Sequence, residues 1–168
     1  MIKKILIVAV TFYAMTIPAY AGQIDTIYAD IDAKLMQSNT NIFNYYDTSA
    51  VLIDGSTGEA LTVDKAKTKM QENIRNGQKI EIYQSQIIGR RDIKTGFTGR
   101  LMGVVVFSKD FMKMTGPDPK NPKKTTVLEM TLTTTRVFDT VIEPKIISEH
   151  SSIDLLSVKS NGNLLSIK

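Results

Sequence analysis

The chain has no cysteine, no tryptophan and a single histidine among its 168 residues. Without thiols there is no disulfide, no thiolate metal site and no cysteine nucleophile, and one imidazole with scattered carboxylates is poor equipment for zinc. No metal and no cofactor are expected, and stability has to come from packing. Charge of one sign is also scarce. Of the formal +4, Lys3 and Lys4 supply two, and the remaining charge of about +2 is too small for a nucleic-acid binder. Long hydrophobic runs are absent beyond the N-terminus, so no membrane association is expected of the mature chain. A phosphate-binding loop is missing too: Gly96-Phe97-Thr98-Gly99 is not followed by the helix whose dipole such loops use. Ser148, Ser151 and Ser152 flank His150, but neighbours on a strand point to opposite faces, which excludes a serine-hydrolase triad there.

What is present begins with a targeting pattern. Lys3 and Lys4 precede an apolar run from Ile5 to Met15, and the segment ends in Ala19-Tyr20-Ala21. A basic start, a short hydrophobic stretch and small residues at −3 and −1 define a secretory leader, here cleaved before Gly22. The run is shorter than the roughly 20 residues of a bilayer span, and Pro18 breaks its end. The organisation expected is therefore a leader at 1–21, one domain at 22–156 and a C-terminal strand or tail at 157–168, exported to a periplasmic or extracellular location. Asn161-Gly162 in the last segment is a hairpin-turn pair.

Periodicity divides the domain in two. Ile24, Ile27, Tyr28, Ile31 and Leu35 trace the i, i+3, i+4, i+7 stripe of an amphipathic helix. A short piece of undetermined type, Ile42 to Tyr46, leads to extended residues around Asp54-Gly55-Ser56-Thr57-Gly58, a turn between hairpin arms. Thr62 caps a second helix with Val63, Ala66, Met70 and Ile74 on one face, which stops at Asn76-Gly77. Beyond Gly77 the period becomes that of strands: 79–88, 97–107, 126–139 and 145–155 alternate or run β-branched, separated by turns that suit antiparallel neighbours. The fold class expected is α+β, with a cone-like curved antiparallel sheet packed on N-terminal helices.

Lys145-Ile146-Ile147-Ser148-Glu149-His150-Ser151-Ser152 closes that meander. It resembles the final strand of the nuclear transport factor 2-like superfamily, also called SnoaL-like, in which a basic or aromatic residue, two apolar positions and a terminal His-x-Ser recur. The order of elements over about 23–154 agrees with that cystatin-like roll. The tryptophan that commonly opens the last strand is missing, and Thr62-Val63 stands where a glycine is usual. The resemblance implies a cavity inside the cone and a homodimer through the outer sheet face.

The superfamily includes ketosteroid isomerases, and their roles carry over incompletely. Aligning Tyr46-Asp47 with the family's aromatic-acid pair places Asp54 at the base position. The helix-one tyrosine and the second acid find no counterpart, with Asp32-Ala33-Lys34 and Thr133 at those places, so the oxyanion donors that dominate such catalysis are missing. Asp54 is thus a candidate base or a turn residue. His150, the side chain most readily titrated near neutrality, is a candidate base or a structural histidine. Alternation puts Ile146, Ser148, His150 and Ser152 on one face and Thr131, Thr133 and Thr135 on one face of the preceding strand; with Tyr46 at the pocket mouth, Tyr46, Thr131, Thr133 and Ser148 are candidate lining residues. Two functions remain. One is a non-enzymatic exported domain binding a small hydrophobic ligand or a partner. The other is a small isomerase, dehydratase or cyclase acting on a hydrophobic ketone with Asp54 or His150 as base. The lysines of 109–124 are a solvated hairpin or a docking element.

Overall fold

The computed structural model describes residues 20–96, 98–118 and 121–164. Residues 1–19, which carry most of the expected targeting pattern, lie outside the described residues. Helix α1 covers residues 20–36. Its stripe of Ile24, Ile27, Tyr28 and Ile31 is buried, as the 3.6-residue period requires of a helix with one covered face. A 3-10 turn, Thr40–Tyr45, follows, and the Asn39 side chain opens it by accepting from the Asn41 amide at 2.9 Å. It delivers the chain into β1, Tyr46–Ile53, which turns back through β2, Ala60–Thr62. Thr62 then caps α2, Val63–Arg75. The helix ends at Gly77, whose φ of +79° suits glycine best, while the Gly77 and Gln78 amides return to the Ile74 and Asn73 carbonyls.

Four long strands complete the chain: β3, Lys79–Lys94; β4, Leu101–Asp118; β5, Asn121–Asp139; and β6, Lys145–Ser160. A two-residue β7, Asn163–Leu164, folds back on β6. The main path of the sheet is β2-β1-β6-β5-β4-β3. All pairings are antiparallel except β1 with β6. That one parallel pair joins the start of the domain to its last long strand, a contact no hairpin could supply. Register shifts at Ile80/Ile82, Ile87/Gly89 and Ile93/Lys94 on β3, and two more between β5 and β6, bend the strands and curve the sheet.

The concave face receives α1. Ile24, Ile27, Tyr28 and Ile31 meet Val104, Val106, Phe138 and Ile146 in one apolar cluster with Tyr46, Leu52 and Leu61, and the Tyr28 and Phe138 rings lie 6.3 Å apart. Two polar ties fix the helix laterally: Asp25 pairs with Arg90, and Asp32 accepts from the Ser85 amide and hydroxyl. The architecture is the expected α+β roll, a curved sheet on N-terminal helices.

The β1–β2 turn is pressed against β6. A Cβ at Gly55 would sit 2.2 Å from the Ser151 carbonyl oxygen, whereas one at Gly96 would meet nothing within 4 Å. Gly55→Ala is therefore expected to lower stability by about 1–3 kcal/mol, the usual cost of overpacking, and Gly96→Ala by less than about 0.5 kcal/mol. Thermal unfolding of the two variants side by side checks this.

Candidate functional site

On β4 the even-numbered residues Val104, Val106, Ser108 and Asp110 are all buried, because alternate residues of a strand share a face. Register then fixes their neighbours on the concave side. Val106 stands opposite Arg136 and Ser108 opposite Thr134; Arg136 in turn stands opposite Glu149, and Thr134 opposite Ser151. An apolar stripe thus gives way, toward the middle of the sheet, to a buried polar cluster.

Arg136 is its centre, 2% exposed. Its Nε donates to Glu149 Oε2 at 2.5 Å, and the Tyr46 hydroxyl donates to the same oxygen at 2.7 Å. Its guanidinium carbon lies 4.7 Å from the centre of the Tyr28 ring. Burial alone works against the Arg136 charge, but Glu149 and the surrounding tyrosines outweigh it and hold the guanidinium pKa well above its ordinary value. A second centre is Asp110, whose Oδ2 accepts from the Tyr83 hydroxyl at 2.9 Å and from Thr134 Oγ1 at 2.7 Å. Burial pushes the Tyr46 and Tyr83 phenols well above the ordinary tyrosine range, helped by Glu149 at Tyr46 and by Asp110 at Tyr83. Burial also raises the Asp32 carboxyl, against the opposing Ser85 hydrogen bonds. Among the described residues, Tyr28 Oη, Ser108 Oγ, Asp110 Oδ1 and Arg136 Nη1 find no hydrogen-bond partner, so the cluster retains polar capacity beyond its internal bonds.

Farther along β4, past Asp110, a cavity of about 260 Å³ opens between the end of α1, α2 and the start of β3. Leu35, Leu61, Met70, Ile74, Ile80 and Met114 make its wall apolar, and Asp54, Lys69 and Lys79 are its charged residues. Asp54 is both a turn residue and a member of this wall. Its Oδ1 accepts from the Ser56 amide at 2.8 Å and the Ser56 hydroxyl at 2.5 Å, and from the Thr57 amide at 3.3 Å. Its Oδ2 pairs with the Lys69 ammonium. Lys69 first, and Ser56 next, hold the carboxyl well below the usual carboxylate range, which makes it a weak base at neutral pH.

His150 is exposed. It lies beside Ile53 and Thr135 on the face turned away from α1, and by register Thr131, Thr133 and Ser148 share that face. Of the candidate lining residues Tyr46, Thr131, Thr133 and Ser148, only Tyr46 is in the buried polar cluster. Alternation along β6 is interrupted at one position. Phe138 pairs with Ile146 and Val137 with Ser148, so Ile147 is an extra residue without a partner. This bulge turns Glu149 inward although Ile146, three residues earlier, is also inward, and it sends His150 out. Asp54 and His150 therefore do not converge on one cavity. Arg136, Glu149, Asp110, Tyr83 and Tyr28 were missed as a set. The parity of Asp110 with Val104 and Val106 on the stretch 104–112 was the signal available for one of them. Among the described residues no group of three His, Asp or Glu side chains is placed to hold a metal ion.

The sequence matches no family model and no curated protein. The fold, in contrast, is shared with solved structures. A ketosteroid isomerase-like protein from Erwinia carotovora atroseptica superposes with a TM-score of 0.57 at 10% identity, covering 78% of this chain and 93% of its own. A nuclear transport factor 2-like protein from Cytophaga hutchinsonii gives 0.56 at 12%, covering 79% and 97%. The β subunit of benzoate 1,2-dioxygenase from Burkholderia mallei gives 0.55 at 10%, covering 79% and 89%. At these identities the likeness establishes the nuclear transport factor 2-like fold, and a fold of this kind hosts unrelated activities.

Proposed function

We propose that this chain is an exported domain that binds a small, largely apolar molecule in the cavity beside α2, without catalysing its conversion, and that pairs with a second copy through the outer face of the sheet. The observation that carries the binding reading is the cavity itself: a concave apolar wall with a few polar groups at fixed positions is the usual form of a small-molecule site. Against catalysis, Asp54 is the only carboxylate among the described residues of that wall, and it is committed to Lys69 and to its own turn. The one imidazole is on the other side of the sheet. Export is supported by the basic and apolar start of the chain and by the place of its cleavage signal. Ile24, fully buried in the core, follows the expected cut before Gly22, so removal of the leader leaves the core intact. Pairing of copies is supported by Phe107 and Phe111, each nearly 40% exposed on the convex face, since aromatic side chains there gain burial in an interface.

Native mass spectrometry of the mature protein from an exported preparation tests these points together. A dimer that retains a reproducible small mass is the expected result. A monomer at micromolar concentration would overturn the pairing, and a consistently empty protein would move the functional surface from the cavity to the convex face.

An isomerase, dehydratase or cyclase acting on a hydrophobic ketone is the second reading, and the observation in its favour is that Asp54 lies on the cavity wall. It requires that Asp54→Asn abolish a turnover that the native chain performs while leaving the fold intact. Equal turnover in the two proteins would sink it.

A further inference from the structure

We infer that the cavity selects a molecule with a short apolar body and one anionic head, a small monocarboxylate; this inference rests on the cavity-binding reading above. The apolar wall accounts for the body, and the volume of about 260 Å³ keeps it short, since drug-sized ligands occupy roughly 300–1,000 Å³. The head follows from the charges on the wall. The basic residues lining it are Lys69, paired with Asp54, and the exposed Lys79, against the single lining carboxylate of Asp54 among the described residues. Asp54 has no unmet need for a donor, because Ser56 and Thr57 serve Oδ1 and Lys69 serves Oδ2. An ammonium carries three N–H donors, so the Lys69 bond to Asp54 leaves two of them available. Lys79 makes no ion pair with any described residue; the nearest acid on its strand, Glu81, pairs instead with Lys113. The wall therefore has a surplus positive charge and unused N–H donors beside an apolar surface. A carboxylate answers both, a ketone answers only the donors, and an amine is repelled. Low-dielectric walls strengthen the attraction relative to open solvent.

Calorimetric titration of the mature protein with octanoate, 2-octanone and octylamine tests the inference. Octanoate is expected to bind roughly tenfold more tightly than 2-octanone, as a charge-assisted hydrogen bond outmatches a neutral one, and to weaken with added salt. Octylamine is expected not to bind. Lys79→Met, at an exposed strand start that leaves the Asp54–Lys69 pair intact, should weaken octanoate by about two- to fivefold, within the range for exposed charge pairs, and 2-octanone by less. If 2-octanone binds as tightly as octanoate, or if Lys79→Met has no effect on octanoate, the anionic preference is wrong and the cavity reading stands. If neither octanoate nor 2-octanone binds, both fall.

Discussion

Replacing Arg136 by methionine is expected to lower the free energy of unfolding by about 3–5 kcal/mol, the usual cost of stranding one member of a buried ion pair. Arg136 is almost wholly buried, and its removal leaves the Glu149 carboxylate with the Tyr46 hydroxyl as its remaining donor. The methionine body replaces most of the lost volume, so the loss measured is largely electrostatic rather than the opening of a cavity. The double variant Arg136→Met/Glu149→Leu separates these contributions. Exchange of a whole buried pair for apolar side chains of similar size is often neutral or stabilising, and most of the loss is expected to return. Urea unfolding with the slope held constant reads both variants. A single variant that costs less than about 1 kcal/mol would place Glu149 in better contact with water than its geometry implies.

That pair also marks the boundary of what the primary structure reveals. The stripe from Ile24 to Leu35 and the Thr62 cap with its stop at Gly77 are local signals, and they located both helices because helical spacing and capping are decided within a few residues. The long β meander was legible for the same reason, but three of its strands run past the ends read at 88, 107 and 155, to Lys94, Asp118 and Ser160, because ladder pairing extends them beyond where the apolar pattern fades. The parallel β1–β6 contact was not legible, since it joins residues about 100 apart and leaves no trace in period or composition. The site depended on parity. Alternation is reliable on β4, whose pairing with β5 runs without a shift from Gly103 to Pro117. It failed on β6 because the single unpaired Ile147 reverses every face assignment after it. Ile147 is an ordinary β-branched residue in a strand-like run, with no glycine or proline to announce the bulge. Asp54 shows the other side of the same limit. Its turn chemistry was readable from Asp-Gly-Ser-Thr-Gly, while its pairing with Lys69, fifteen residues later on α2, decides its charge and is a tertiary fact.

In alkaline solution the protein is expected to lose stability from about pH 10 upward, steeply, because three phenols are held neutral in the fold. Tyr46 and Tyr83 are raised well above the ordinary value of 10.0, and Tyr28 is raised as well, in each case first by burial. Above pH 10 the unfolded chain releases these protons and the native chain keeps them, so each increment of pH favours unfolding. Their contribution is intact below the unfolded value and disappears as pH rises through the folded ones. One group changes stability by about 1.4 kcal/mol per pH unit, so three together set a limiting slope of roughly 4 kcal/mol per unit. Tyrosinate absorbance followed alongside far-ultraviolet circular dichroism provides the measurement: the buried phenols should ionise only as the helical signal is lost. Tyr83→Phe removes one titrating group and strips Asp110 of a donor, so it should flatten the alkaline slope by about a third while lowering stability at neutral pH. Ionisation of all the phenols near pH 10 in a chain that is still folded would contradict the burial of the cluster around Arg136.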